Sequence, residues 1–153
     1  MKKTTLIILI CLAGFITKVK AQVEPVYQYY NSSTQKHFYT TDYNELGAGG
    51  NGWTAQGILG YLHTTDFAQG AVYRFYQGSS GAHYYTKNKS IFPDGFTYET
   101  ILGYEPGPPE ALIIPVYEFV NTTTGDYYYS TSTTVPGGYK LNGQSFTVTG
   151  STP

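Results

Sequence analysis

Three stretches of the chain alternate aromatic and polar residues with the two-residue period of a β-strand. They read VYQYY, VYRFY and VYEFV, beginning at Val26, Val72 and Val116. Because every second side chain of a strand lies on the same face, one aromatic pair of each stretch shares a face that we expect to point inward. The pairs are Tyr27 and Tyr29, Tyr73 and Phe75, and Tyr117 and Phe119. The opposite face carries three unlike polar residues and is expected to be a solvated outer face: Gln28, Arg74 and Glu118.

A polar turn and a second aromatic stretch follow each of these strands. The second stretch reads HFYTT from His37, HYYTK from His83 and YYYST from Tyr127, at steps of 46 and 44 residues. Further along, GWTAQGILGY from Gly52 matches GFTYETILGY from Gly95, whereas the third copy, GYKLNGQSF, is more divergent. The chain therefore contains three repeats, at approximately 23–70, 71–113 and 114–153.

Each repeat has the pattern of four short strands, which predicts an all-β chain of about twelve strands. A unit of about 44 residues cannot bury its own apolar face well, so the units are expected to pack together. Three units that close on a pseudo-threefold axis form a β-trefoil, which also removes exposed sheet edges. The alternative is a small three-bladed propeller-like arrangement, although propellers usually have four or more blades.

The first 21 residues have the layout of a secretory signal peptide. A basic head is followed by the apolar run Leu6–Ile16, and Val19 and Ala21 occupy the −3 and −1 positions of a cleavage site. The alternative is a retained anchor, but the run is shorter than the roughly 20 residues that span a membrane. We therefore expect a single domain at 22–153, secreted or periplasmic, with no membrane span after cleavage.

Removal of this leader changes the charge and the cysteine content. Five basic and ten acidic residues remain, a formal charge of −5, and the only cysteine leaves with the leader. An acidic surface argues against nucleic acid and anionic membranes as partners. All 17 tyrosines remain, and a tyrosine ring packs in a sheet while its hydroxyl finds a hydrogen-bond partner.

The repeated pattern V-Y-x-[YF], H-F-Y-T-T, G-[WF] and G-Y resembles a family of secreted threefold-repeat domains of uncharacterised function. The first repeat carries it at Val26–Asn31, His37–Thr41, Gly52–Trp53 and Gly57–Tyr61. Members are often attached to secreted hydrolases and peptidases and are regarded as lectin-like. The resemblance implies binding to extracellular glycans or cell-surface glycoconjugates. The third repeat departs from the pattern because Tyr127 replaces the histidine and the final G-Y is missing.

Nothing in the sequence points to catalysis, a metal or a cofactor. Catalysis needs unlike groups that converge, whereas His37 and His83 hold equivalent places on different repeats. Two such histidines do not make a zinc site, and the acidic residues follow no calcium-binding spacing. We therefore expect a non-catalytic protein without metal or cofactor.

Aromatic faces beside short polar side chains are typical of saccharide sites. Each candidate also has a structural interpretation: a buried imidazole or phenol with a hydrogen-bond partner, a core aromatic side chain, or an asparagine that caps a turn. The candidate ligand-binding residues are Asn31, His37, Trp53, His83, Asn121 and Tyr127.

Two other functions remain open. One is protease inhibition through the loop from Asn44 to Asn51, whose glycines predict a flexible loop rather than a preorganised one. The other is a structural or adhesive role in an extracellular protein without a small-molecule ligand.

Overall fold

The computed structural model describes residues 22–66, 69–108 and 112–150, and the prediction of an all-β chain is confirmed. The expected leader lies outside the described residues. Within the described ranges, a single 3-10 turn, Tyr43–Glu45, accompanies the strands. The strands are β1 (Val23–Asn31), β2 (Lys36–Thr40), β3 (Gly49–Gly50), β4 (Trp53–His63), β5 (Ala71–Gln77), β6 (Ala82–Thr86), β7 (Thr97–Tyr104), β8 (Ile113–Asn121), β9 (Asp126–Ser130) and β10 (Lys140–Thr149).

The strands pair into one antiparallel sheet in which each repeat contributes the same three-stranded unit. In every unit the first strand lies in the middle: β1 between β2 and β4, β5 between β6 and β7, and β8 between β9 and β10. The expectation of four strands per repeat was wrong. The segments interpreted as third and fourth strands form one continuous strand, and β3 adds only two residues to it.

Each long strand shifts its register against the middle strand of its unit at two places, and the shift nearer its start is a β-bulge that joins its two halves. Gln28 pairs with Gly57 but Tyr29 pairs with Ala55, so Gln56 is an extra residue without a partner on β1. The same shift leaves one extra residue in each of the other units, Glu99 in β7 and Asn142 in β10. In regular alternation the extra residue would point to the opposite face of the sheet. The bulge changes the direction of its side chain.

The second strands of the three units meet through a closed ring of hydrogen bonds. The Tyr85 hydroxyl accepts from the backbone N–H of Tyr39 (2.8 Å) and donates to its carbonyl oxygen (2.8 Å). Tyr129 makes the same two bonds to Tyr85, at 2.9 and 3.1 Å, and Tyr39 makes them to Tyr129, at 2.8 and 2.9 Å. We call these three fully buried residues the tyrosine ring. They satisfy each other's backbone groups in the centre of the core, where these groups are not exposed to solvent.

The expectation that Gln28, Arg74 and Glu118 form a solvated face was wrong. Arg74 is 7% exposed, Glu118 is 4% exposed and Gln28 is half-buried. Both faces of the middle strand are covered, since Phe75 on one face of β5 and Arg74 on the other are both buried. The face that carries these polar residues also carries three fully buried valines that pack around the tyrosine ring, Val26, Val72 and Val116.

The divergence of the third repeat changes how the long strands approach each other. A Cβ on Gly60 would lie 2.3 Å from Val148, and a Cβ on Gly103 would lie 2.7 Å from Leu62, so only glycine fits where β4 meets β10 and β7. The third unit has Phe146 where the second has Gly103, since each pairs with the valine of its own first strand.

β7 and β10 are connected instead by a hydrogen-bonded side chain. One carboxylate oxygen of Glu105 accepts from the backbone N–H of Thr147 (2.7 Å) and from its hydroxyl (2.8 Å). Glu105 is 5% exposed, and its other oxygen lies 3.3 Å from the ammonium group of Lys87.

The loop after β2 is tied down by hydrogen bonds, in contrast to the expectation of a flexible loop. The Asp42 carboxylate accepts from the backbone N–H of Asn44 at the start of the 3-10 turn. The backbone N–H of Gly47 donates to the Tyr43 carbonyl (2.7 Å), and the Tyr29 hydroxyl donates to the Gly47 carbonyl (2.8 Å). Across the described ranges, no helix is long and apolar enough to cross a membrane.

Candidate functional site

The three units meet at three junctions that are built alike. At each junction a ring from the second strand of one unit packs on a ring from the second strand of the next. The pairs are Phe38 with His83 at the first/second junction (centroids 4.7 Å apart), Tyr84 with Tyr127 at the second/third (5.0 Å), and Tyr128 with His37 at the third/first (4.8 Å). The aromatic residue that opens the third strand completes each group: Trp53, Phe96 and Tyr139, respectively.

A pair of polar side chains stands beside each junction, and we call it the bulge pair. One member is the polar residue of the middle strand and the other is the extra residue of the β-bulge. In the second unit, Nε of Arg74 donates to Oε2 of Glu99 (3.0 Å), and in the third, Nδ2 of Asn142 donates to Oε1 of Glu118 (2.6 Å). In the first unit the pair is Gln28 and Gln56, and among the described residues neither side-chain amide has a hydrogen bond.

The first/second junction opens into a cleft of about 360 Å³, which we call the Trp53 cleft. Two of the six candidate residues, Trp53 and His83, come together here. Its lining combines aromatic, aliphatic and charged side chains: Phe38, Glu45, Leu46, Trp53, Arg74, His83 and Glu99.

Arg74 organises the charges of this cleft. Its two terminal nitrogens donate to the two carboxylate oxygens of Glu45 at 2.8 and 2.9 Å, in the bidentate geometry that suits a guanidinium. Its guanidinium carbon lies 4.9 Å from the centroid of the Phe38 ring. Burial opposes the charge of Arg74, but the hydrogen bonds with Glu45 and the charges of the surrounding groups together outweigh it and raise the arginine pKa. For Glu45, burial is likewise outweighed by these bonds, and its pKa is lowered.

His83 is held neutral beside this network. Its side chain is 12% exposed, and burial together with the charge of Arg74 lowers its pKa to about 4. Nε2 lies 3.5 Å from the Glu99 carboxylate, but that carboxylate already accepts from Arg74. Nδ1 is buried and has no hydrogen-bond partner in the described part of the chain. With one cation and two carboxylates, the Trp53 cleft carries a net charge of −1 at neutral pH.

His37 occupies the equivalent place at the third/first junction and is bonded differently. Its Nδ1 lies 2.6 Å from the Asp126 carboxylate, which also accepts from the His37 backbone N–H (2.8 Å) and the Tyr139 hydroxyl (2.6 Å). Asp126 is fully buried. Burial would raise the pKa of its carboxyl group, but these hydrogen bonds outweigh it and lower the pKa. His37 is therefore fixed inside the junction by a carboxylate.

The other three candidate residues lie in packed positions. Oδ1 of Asn31 accepts from the backbone N–H groups of Ser33 (3.1 Å) and Thr34 (3.2 Å), which makes it the cap of its turn. Asn121 makes the same two bonds in the third unit. Tyr127 packs against Ala82 and Phe96 at the second/third junction. The six candidates are thus spread over three junctions and two turns.

Sequence reasoning missed the charged half of the Trp53 cleft. Glu45 comes from the loop after β2, and Glu99 is the extra residue of the bulge in β7. A signal for the bulge pairs was nevertheless present. Complementary residues recur at the same two repeat positions, Arg74 with Glu99 and Glu118 with Asn142. Among the described residues, no group of three or more His, Cys, Asp or Glu side chains could hold a metal ion.

Comparison with known families gives two overlapping matches to one family model, the domain of unknown function DUF5648. They cover residues 12–104 and 71–152. The chain belongs to the DUF5648 family. The matches overlap on the second unit, so each spans two neighbouring repeats, as expected for a family defined by a repeated unit. No curated protein and no solved structure matches the chain.

Proposed function

We propose that this DUF5648 protein is a secreted, non-catalytic module that binds extracellular carbohydrate, in the manner of a lectin, at the Trp53 cleft. The observation that carries the proposal is the meeting of a half-buried tryptophan with a fixed polar network in one open cleft. Saccharide sites combine an aromatic face, on which the C–H face of a sugar packs, with a few placed polar groups.

The polar groups of the cleft suit a polyhydroxylated ligand. The side chains of Glu45 and Glu99 are 33% and 31% exposed, so their oxygens keep lone pairs for sugar hydroxyls while Arg74 holds them in place. Neutral His83 offers a second kind of hydrogen-bonding group. Because these side chains are already oriented by one another, a ligand would lose little free energy in ordering them.

We further infer that the units close around a pseudo-threefold axis as a small three-bladed propeller rather than as a trefoil. This is supported by the order of strands, which is the same in all three units and places the second strand at the edge that meets the other units at the tyrosine ring. In a trefoil, the first and last strands of the units would together form the barrel.

A binding screen followed by fluorescence tests the proposed function. The purified protein, multimerised through a tag to reveal weak sites, is applied to a glycan array. Binding to one sugar class, competed by millimolar free sugar, is expected. Trp53 is the only tryptophan of the chain, so its intrinsic fluorescence should change on titration with the same sugar.

Substitution then separates a binding role of Trp53 from a packing role. Trp53→Phe introduces the residue type that the second unit has at this position, and Trp53→Ala removes the aromatic platform. Loss of binding in a Trp53→Ala variant that unfolds at the wild-type temperature supports the site. A folded wild-type protein that binds nothing on the array overturns the proposal.

The second candidate function is protease inhibition, and the hydrogen-bonded loop after β2 favours it. Inhibitory loops are held rigid before they bind. Here the Tyr29 hydroxyl and the backbone of Tyr43 restrain Gly47 at the centre of the loop. Assays against serine and cysteine proteases test it, with Leu46→Asp as the loop variant.

A further inference from the structure

We propose that the third/first junction carries a second saccharide site, one that selects uncharged sugars. This inference rests on the proposed carbohydrate-binding function and adds a site and a ligand class to it. The cleft at this junction measures about 550 Å³, and we call it the Gln cleft. Its lining is Gln28, Gln56, Ile58, Leu59, Tyr128, Ser130 and Thr131.

The bulge pair of the first unit is the only one of the three whose two side chains are not hydrogen-bonded to each other. The β-bulge brings Gln56 alongside Gln28, as it brings Glu99 to Arg74. Neither glutamine amide has a hydrogen bond within the described residues, although Gln28 is half-buried. Two unpartnered amides, one partly withdrawn from water, present donors and acceptors that a ligand can satisfy.

The polar groups of the other two bulge pairs are bonded within the protein. At the first/second junction, Arg74 bonds to Glu99 and to Glu45, and these ion pairs border both the Trp53 cleft and a separate pocket of about 280 Å³. At the second/third junction, the Glu118 carboxylate accepts from Asn142 and shares the single hydrogen of the Tyr129 hydroxyl with the Tyr85 carbonyl oxygen. The pair of uncharged glutamines leaves the corresponding space at the third/first junction open.

The remaining lining groups of the Gln cleft complete a neutral sugar site. The Ser130 hydroxyl accepts from the backbone N–H of Ser132 (3.1 Å) and keeps its own hydrogen to donate. The Tyr128 ring and Ile58, which is 48% exposed, offer apolar surface to the C–H face of a sugar ring.

The lack of charged side chains in the Gln cleft determines which class of sugar we expect it to bind. No Asp, Glu, Lys, Arg or His side chain lines the described part of the Gln cleft. A carboxylated or aminated sugar would lose the hydration of its charge there without gaining a counter-charge. An uncharged sugar does not have this cost. The Trp53 cleft, in contrast, has a net negative charge.

The experiment maps binding on the protein by NMR. Backbone amide shifts of the ¹⁵N-labelled protein are followed during titration with four trisaccharides: maltotriose, cellotriose, triacetylchitotriose and, as the anionic probe, trigalacturonate. At least one neutral trisaccharide is expected to shift Gln56, Ser130 and Thr131, and trigalacturonate is not.

Three variants separate the two clefts. Trp53→Ala should leave the shifts at the Gln cleft in place. Gln56→Ala should weaken neutral-sugar binding in the Gln cleft about fivefold, because the ligand would lose one hydrogen bond. Gln144→Ala is the matched control, because this exposed glutamine lies on the corresponding strand β10 and outside the Gln cleft, and it should change binding less than twofold.

A double substitution tests the charge argument directly. Gln28→Arg with Gln56→Glu places the ion pair of the second unit in the first and should close the Gln cleft to neutral trisaccharides. Sugar-induced change in Trp53 fluorescence without any shift in the Gln cleft overturns the second site and leaves the proposed function standing. A folded protein that shows neither response overturns both.

Discussion

The centre of the molecule and its junctions use the threefold repeat in opposite ways. In the centre, the three units carry the same residue, and Tyr39, Tyr85 and Tyr129 make one repeated set of bonds. At the junctions, the bulge pairs occupy repeated positions but carry three different chemistries: Gln with Gln, Arg with Glu, and Glu with Asn. The shared centre holds three units together, and the varied junctions give each interface its own surface.

The largest expected effect is on the centre. Tyr85→Phe leaves the buried N–H and carbonyl of Tyr39 without their partner, so it should lower the free energy of unfolding by about 3 kcal/mol. Tyr73→Phe is the matched control, since this half-buried tyrosine has no hydrogen bond in the described structure, and it should change stability by less than about 0.5 kcal/mol. Urea denaturation measures both. Equal losses would mean that the tyrosine ring does not hold the centre together.

The next effect is a pH dependence at the first/second junction. The pKa of His83 is about 4 in the folded protein, against an ordinary value of 6.5. Between these values the unfolded chain binds the proton and the folded protein does not, so stability falls as the pH is lowered from 6.5 to 4. The loss is about 3 kcal/mol for a shift of this size.

Comparison with a His83→Gln variant isolates this group. Arg74, Glu45, Glu99 and the more distant Asp126 surround His83 in both proteins, so their own contributions largely cancel. The wild type should lose its advantage over the variant as the pH falls from 7 to 4. A difference that stays constant over this range would show that His83 is not held neutral.

A smaller effect is expected from breaking the charged bulge pair. Arg74→Gln should lower the free energy of unfolding by about 2 kcal/mol, because both partner carboxylates are one-third exposed and water partly replaces the lost contacts. Adding Glu99→Gln reproduces the Gln–Gln pair of the first unit and should cost little more. A double-mutant cycle measures the coupling, and fully additive losses would contradict a direct interaction.

The smallest effect is expected where the third unit diverges. Glu105→Ala removes the acceptor for the N–H and hydroxyl of Thr147 and should lower stability by about 1 kcal/mol. Glu105→Gln keeps one carboxamide oxygen at this place and should retain more than half of that free energy. If the two variants were equally stable, the contact between β7 and β10 would not depend on this acceptor.

Alternation and repetition were sufficient to predict an all-β chain of three units, because a period of two residues follows from strand geometry alone. The number of strands was wrong because a bulge interrupts the pattern of each long strand without ending it, as at Gln56 and Gly57. The sequence also identified Trp53 and His83 as candidates, and these two residues lie in the same cleft. It did not find Arg74, because alternation along one strand does not indicate how many of its faces are covered.

The sequence by itself therefore determined the repeat, the strand class and the aromatic residues that recur in each unit. Tertiary structure decided which residues of different units meet. Phe38 contacts His83 across 45 positions of the chain, and Tyr128 contacts His37 across 91, through the packing of second strands that no local pattern specifies. The physical reason is that a junction is formed by side chains of two units at once. Whether it is open or closed also depends on residues such as Gln28 and Gln56, which lie on two strands of one unit and come together only when the sheet forms.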